Sequence, residues 1–260
     1  MEKFKIIKNI LNKIYFHPFF LLVAFICSIT GVFREFTIFF LIIIIHEIGH
    51  IIGGLYYNWP IDKVIFLPFG GLTIFKQKLN TPLKEEFIVT LLGPLFQILF
   101  YLICTKLFSD NIILTKYHYP LLFFNLLPLV PLDGSKIFNI LLNKMMSFKW
   151  SHLVSVIFSL IFDIILILII ILKKIDLVYF LIFFFLVVKA LKELSNHHVL
   201  VNKFILERYL YNFHFTKNKL LQNKKLENMF RDYHHFFYCY HRLYSEEELL
   251  RKRFDFKRKV

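Results

Sequence analysis

His46, Glu47 and His50 stand in "IFFLIIIIHEIGHIIGGLYY", a stretch otherwise built almost wholly from aliphatic and aromatic residues. Histidines four apart project from one face of a helix, one turn above the other. Two neutral imidazoles so placed can share a Zn2+ ion at about 2.0–2.1 Å, and Glu47 beside them can take a proton from a water that the ion activates. The chemistry implied is hydrolysis. Ionisable groups within a membrane span are costly and mark function. The competing reading is a polar patch that hydrogen-bonds to other helices. Gly49, Gly53 and Gly54 follow the motif and let a neighbouring helix approach closely, which a buried metal needs.

A hydrolytic zinc takes three protein ligands and leaves its fourth position open. The buried candidates for the third are Asp133, Asp163 and His152. Asp133 lies in "NLLPLVPLDGSKIF", where Pro128, Pro131 and Gly134 must interrupt the helix. Broken helix at membrane depth is tolerated only where it lines protein or a watery cavity, which favours Asp133. Asp163, in "SLIFDIILIL", is mid-span without breakers, and Lys136 is a partner that could neutralise it. His152 reads as an interface residue at the mouth of its span.

The elements that must position these groups are membrane helices. Of 260 residues, 57% are hydrophobic, mean hydropathy is +0.60, and there are 34 Phe. A soluble domain is about 45–50% apolar. The expected fold is therefore an all-α polytopic membrane protein with six spans, near 18–33, 36–57, 87–107, 119–142, 152–172 and 177–193. "DKVIFLPFGGLTIF" is β-prone on both sides of Pro68 and Gly70-Gly71, too short to span and too apolar to float in water, so a re-entrant β-hairpin is expected there. The start, "MEKFKIIKNILNKIYFHP", is too charged for a removable signal peptide. Cys27, Cys104 and Cys239 are isolated and read as free thiols.

The net charge of +14 is uneven: half of the 32 Lys and Arg lie at or after Lys189. Lys3, Lys5, Lys8, Lys13, Lys63, Lys76, Lys78, Lys84, Lys144 and Lys149 fall on one side of the spans. Few face the other, so both termini are expected in the cytoplasm. That distribution fits anionic lipid and membrane orientation, not nucleic acid. Residues 196–260 mix charge with aromatics and form a cytoplasmic tail, next to a membrane-embedded metalloprotease domain over 1–195.

H-E-x-x-H in the second span, Gly93-Pro94 of "LLGPLFQ" in the third and "N…PLDG" in the fourth resemble the site-2 intramembrane metalloproteases. The motifs "FLPFGGL", "PLKEE" and "GPLFQ", in that order, resemble the sporulation members of that family. The resemblance covers about residues 10–195. It implies one zinc held by His46, His50 and Asp133, with Glu47 as the catalytic glutamate. It also implies that Asn125 and Pro131 face substrate. The hairpin, with Phe69, Gly70 and Gly71, is expected to hold an unwound substrate extended by strand addition. The implied substrate is the membrane-associated precursor of the sporulation sigma factor K, cleaved in the mother-cell membrane around the forespore. Implied partners are inhibitory or scaffold membrane proteins, with room for a homo-oligomer, and the tail would be a shortened CBS-like region.

Two other classes compete. A zinc or proton transporter would string acids and histidines across the spans, and few besides Asp133 and Asp163 are there. An inactive homologue acting as a binding partner would have lost catalytic positions, and all are present.

Overall fold

The computed structural model describes residues 12–68, 70–108 and 111–255. Phe69 and the lysines Lys3, Lys5 and Lys8 lie outside the described residues. The protein is mostly helical. Among the described residues, three helices are long and apolar enough to cross a membrane: α2 (Phe33–Tyr56), α3 (Leu83–Leu107) and α6 (Phe148–Leu172). Shorter or less apolar helices stand where the other expected spans fall: α1 (Pro18–Ile29), α4 (Ile112–Leu126), α5 (Asp133–Met145) and α7 (Leu177–Ser195). The chain divides into two compact units, one of the residues up to Gln77 with Phe87–Leu127, the other of Lys78–Glu86 with the residues from Pro128 onward.

In the first unit, β1 (Ile14–Phe16), β2 (Ile61–Leu67) and β3 (Gly70–Phe75) form a sheet in that order. The expected hairpin is β2–β3, antiparallel, with Val64 opposite Thr73 and Phe66 opposite Gly71. β1 is the addition: it pairs parallel with β2, Ile14 to Val64. Three residues just ahead of Pro18 carry too little pattern to announce a strand. Phe20, Ile42, Ile43, Ile61, Val64, Phe66, Leu114 and Leu121 make the unit's apolar core. At the start of α2, Glu35 pairs with Lys116 Nζ at 3.0 Å and accepts the Tyr117 hydroxyl, tying α2 to α4.

Two boundaries differ from expectation. The turn between the first two helices falls at Thr30–Val32, where Gly31 takes φ +78°, and not at 34–35. Residues 112–118, expected as a connection, are the first two turns of α4, since "IILTKYH" holds no breaker. The expected interruption in the fourth span is present: helix stops at Leu126 and resumes at Asp133, with a cis Val130–Pro131 bond between.

In the second unit, α6 carries Ser151, Ser155, Ser159 and Asp163 at four-residue intervals, all buried. The Val130 N–H donates to Ser159 Oγ at 2.8 Å, so the broken segment gains a partner for a backbone group that no helix satisfies. Lys136 bonds Asp133 at 3.0 Å and not Asp163, because three residues along α5 puts the two side by side. Neither carboxylate oxygen of Asp163 has a hydrogen-bond partner among the described residues.

The tail folds as α8 (His197–Leu210), a sheet of β4 (Lys217–Leu221), β5 (Tyr233–Cys239) and β6 (Arg242–Ser245), and α9 (Glu246–Phe254). Phe148, Val201, Phe204, Ile205, Leu226, Met229, Phe237, Leu249 and Leu250 form its core. The Arg208 guanidinium sits at the centre, 1% exposed. It donates to Glu246 Oε1 at 2.9 Å, Asn80 Oδ1 at 2.7 Å, Phe230 O at 2.7 Å and Tyr233 O at 3.0 Å. A buried cation needs this many acceptors to replace its water. The Phe230 N–H donates to His235 Nε2, so His235 carries its proton on Nδ1 and gives it to Glu246 at 3.0 Å. Segment 78–86 belongs to the same network: Glu207 accepts the Leu79 N–H at 2.6 Å, Asp232 caps the N-terminus of α3 through the Leu83 N–H, and Arg231 meets Glu86 at 2.6 Å.

Burial alone would push the Glu246 carboxyl up, but the His235 hydrogen bond and the Arg208 charge outweigh it and bring the group down to about 2 from an ordinary value of 4.5. A carboxylate depressed in the fold adds stability above its unfolded pKa and loses it as pH falls through the folded value. The tail should therefore loosen between about pH 4.5 and pH 2, read as faster amide exchange in β5, β6 and α8. Arg208→Met leaves Glu246 buried without its cation and should destabilise the tail by about 3–5 kcal/mol. Arg253→Ala, which loses an exposed bond to Asn202 and a cation–π contact with Phe254, should change the same exchange by little.

Candidate metal centre

The α2 stretch "HEIGH" is buried on the face that carries His46, Glu47 and His50, with 3%, 4% and 5% of their surfaces exposed. Among the described residues these three form the group whose ligand atoms converge, all within 4.8 Å of one another.

The hydrogen bonds of the two imidazoles fix their tautomers. His50 Nδ1 lies 2.9 Å from the Val89 carbonyl, which only accepts, so that nitrogen bears the proton. His46 Nδ1 lies 3.0 Å from Gln97 Oε1. Gln97 Nε2 donates to the His118 carbonyl at 3.0 Å, so its amide oxygen is the atom turned to His46 and again the ring proton is on Nδ1. Both Nε2 lone pairs remain, and they stand 3.1 Å apart. Two lone pairs so close repel unless a cation lies between them. Two ligands about 2.0–2.1 Å from one tetrahedral ion are separated by roughly 3.3–3.4 Å, close to the spacing of these two atoms. The donor set thus fits a zinc-like ion, with each imidazole braced from behind by an acceptor, as metal-ligating histidines generally are.

Glycine makes the room. A side-chain carbon at Gly93 would run into His50 Nε2 and Cε1 and come within 2.9 Å of His46 Nε2. A carbon at Gly49 would strike the Leu92 carbonyl, so α2 and α3 meet backbone to backbone at this level. The small residues expected to admit a neighbouring helix do so at Gly49 and Gly53, both against α3. Gly54 packs on the Phe75 ring of β3.

The remaining sequence-derived positions are distributed as follows. Gly71 lies directly against the Glu47 side chain, and Gly70 opens β3 with open space around its α-carbon. Asn125 is half-buried near the end of α4. Pro131 and Asp133 belong to the second unit, in the broken segment and the first turn of α5. His152 joins His197 and Glu193 at 3.0 and 3.1 Å, at the junction of α6, α7 and α8, as an interface residue would. Three contributors went unread in the sequence: Gln97, Val89 and Thr73. The first had a signal, since Gln97 follows Gly93 by four and so shares its helix face.

Gln97→Leu keeps the bulk but removes the acceptor behind His46. Metal affinity should fall about 10–100-fold, measured by competition with a chelating dye, while thermal unfolding of the metal-free protein shifts little. Gly93→Ala should weaken binding further, because the added carbon enters the space of both imidazoles.

No family model matches the chain. It is 32% identical over 222 residues to stage IV sporulation protein FB of Bacillus subtilis, covering 82% of this chain and 75% of that protein. It is 30% identical over 123 residues to the zinc metalloprotease MJ0392 of Methanocaldococcus jannaschii, a match over 42% of this chain and 34% of the other. Among solved structures, the site-2 protease from Methanocaldococcus jannaschii superposes with a TM-score of 0.56 over 70% of this chain and 91% of that one, and at 23% identity it shows a shared fold. With its apolar helices and its buried His-Glu-His group, the chain belongs to the site-2 protease family, the membrane-embedded metalloproteases that include stage IV sporulation protein FB.

Proposed function

We propose that this protein is an intramembrane zinc endopeptidase in which His46, His50 and Asp133 hold the ion and Glu47 is the proton carrier. The observation that carries the reading is the pair of Nε2 lone pairs 3.1 Å apart with a buried carboxylate beside them. The relative named a zinc metalloprotease supports the choice of metal.

A zinc ion held by His46, His50 and Asp133 would supply Lewis acidity to polarise a peptide carbonyl and to lower the pKa of water toward neutral. The chain's own residues do the rest. Gln97 and the Val89 carbonyl keep both imidazoles in the tautomer that presents Nε2. Water attacks the carbonyl carbon, Glu47 takes the water's proton, and the same carboxyl returns it to the nitrogen as the C–N bond breaks. The packed apolar helices around the group exclude bulk water. β3 has a strand neighbour on one side only among the described residues, so its outer edge can pair with an unwound substrate segment. Phe69, Gly70 and Gly71 would border that segment, and Asn125 and Pro131 would meet it beyond the hairpin.

The substrate we assign is a membrane-associated regulatory precursor, in a spore former the sigma-K precursor. The relative named for stage IV of sporulation supports that choice. The proposed topology has six spans with both termini in the cytoplasm, 1–195 as the protease domain and 196–260 as a cytoplasmic tail, in the mother-cell membrane around the forespore. Inhibitory membrane proteins would hold the enzyme until signalled.

Co-expression with the precursor and a scan for the shortened product tests the reading. Glu47→Gln should retain zinc and the fold while product formation falls by about a hundredfold or more, because an amide cannot take the proton. Appreciable turnover by that variant removes Glu47 from the mechanism. Zinc should be lost from Asp133→Ala and kept by Asp163→Ala; the reverse outcome assigns the third ligand to Asp163.

A further inference from the structure

β3 lies against α2 with two of its residues, Gly71 and Thr73, turned to the Glu47 side chain. They are two apart, so they share one face of the strand. The Thr73 hydroxyl donates to Glu47 Oε2 at 2.5 Å, and both side chains are buried. At Gly71 the backbone comes so close that an added carbon would overlap Glu47 Cγ and lie 2.6 Å from Cδ and from Oε1. The carboxylate is therefore bracketed from the hairpin: one oxygen is tied to Thr73 and the other stands beside a residue without a side chain. The strand cannot slide independently of this bracket, because its ladder sets Thr73 opposite Val64 and Gly71 opposite Phe66.

We propose that Thr73 is a positioning residue for peptide hydrolysis. It holds Glu47 by Oε2, so that Oε1 is the oxygen that receives the proton. It also fixes that oxygen against the edge strand on which an extended substrate would pair. The inference rests on the reading of Glu47 as proton carrier. A carboxylate on a long side chain has several rotamers, and an orientation set in advance leaves less reorganisation for the reacting complex. Because the tether comes from the strand that receives substrate, the scissile bond and the base share one frame of reference. Gly71 completes the device, since any larger residue there would push the carboxylate off its tether. Within α2 the residues one turn from Glu47 are Ile43, Ile44, His50 and Ile51, none with a hydroxyl, and β3 supplies one in Thr73.

The test compares Thr73→Val and Thr73→Ser with wild type, using purified full-length protein in vesicles and a membrane-embedded peptide substrate. Zinc content, kcat and KM are measured for each, with Glu47→Gln alongside. Valine keeps the shape and removes the donor, so kcat should fall about 10–100-fold with KM and zinc content unchanged. Serine keeps the donor and should recover most of kcat. Wild-type kcat in Thr73→Val, equal losses in the valine and serine variants, or loss of zinc from either would overturn the proposal. An inactive Glu47→Gln beside a fully active Thr73→Val would sink this inference alone. Turnover by Glu47→Gln would sink the parent reading and this inference with it.

Discussion

Two imidazole lone pairs held 3.1 Å apart in an apolar interior are the constraint on which the first unit depends. Left to themselves, neutral histidines would turn so that a proton faced a lone pair. Here the turn is prevented from behind, by the Gln97 amide oxygen on one ring and the Val89 carbonyl on the other. Both braces come from α3, which can reach the rings only because Gly49 on α2 and Gly93 on α3 carry no side chains at the crossing. The close approach of two helices, usually a matter of packing, serves here to aim four nitrogen atoms.

The second unit solves a different problem with similar means. Between Leu126 and Asp133 the backbone leaves helix, and its polar groups need partners from other elements. α6 offers a buried stripe of small hydroxyls at helical spacing, and Ser159 takes the Val130 N–H. Serine suits this role because it is small enough for close packing and polar enough to bond. Asp163 continues the stripe, and among the described residues its oxygens have no hydrogen-bond partner, which marks it as the polar group of this helix that packing does not explain.

How much of this was legible in the sequence follows from where each feature is encoded. The His-Glu-His group, the hairpin and the break before Asp133 are written locally, in a four-residue spacing, in β-prone runs around Gly70-Gly71 and in two prolines. The turn at Gly31 and the true start of α4 were misplaced because sequence that is apolar on every side blurs helix ends. β1 was missed because three residues have no period. Gln97, Thr73 and the Arg208 cluster were missed for a deeper reason. Their partners lie far along the chain: 51 residues from Gln97 to His46, 26 from Thr73 to Glu47, 128 from Arg208 to Asn80. Neither periodicity nor composition records such pairs.

The two buried polar clusters also differ in what they are for. Around Arg208 the bonds are complete: four acceptors for the guanidinium, a proton on His235 for Glu246, a backbone N–H for the other ring nitrogen. Such a network specifies one arrangement and resists change. Around His46 and His50 the outward Nδ1 atoms are held by the Gln97 amide oxygen and the Val89 carbonyl, and the inward Nε2 atoms stand 3.1 Å apart. A side-chain carbon at Gly93 would run into His50 Nε2, so glycine is what lets the two rings take this arrangement. Two imidazole nitrogens converging with a carboxylate in a buried site offer a cation ready-made ligands. α3 contributes to both arrangements, with Leu83 and Glu86 bonded within the tail's network and Val89, Gly93 and Gln97 following on the turns that face the histidines.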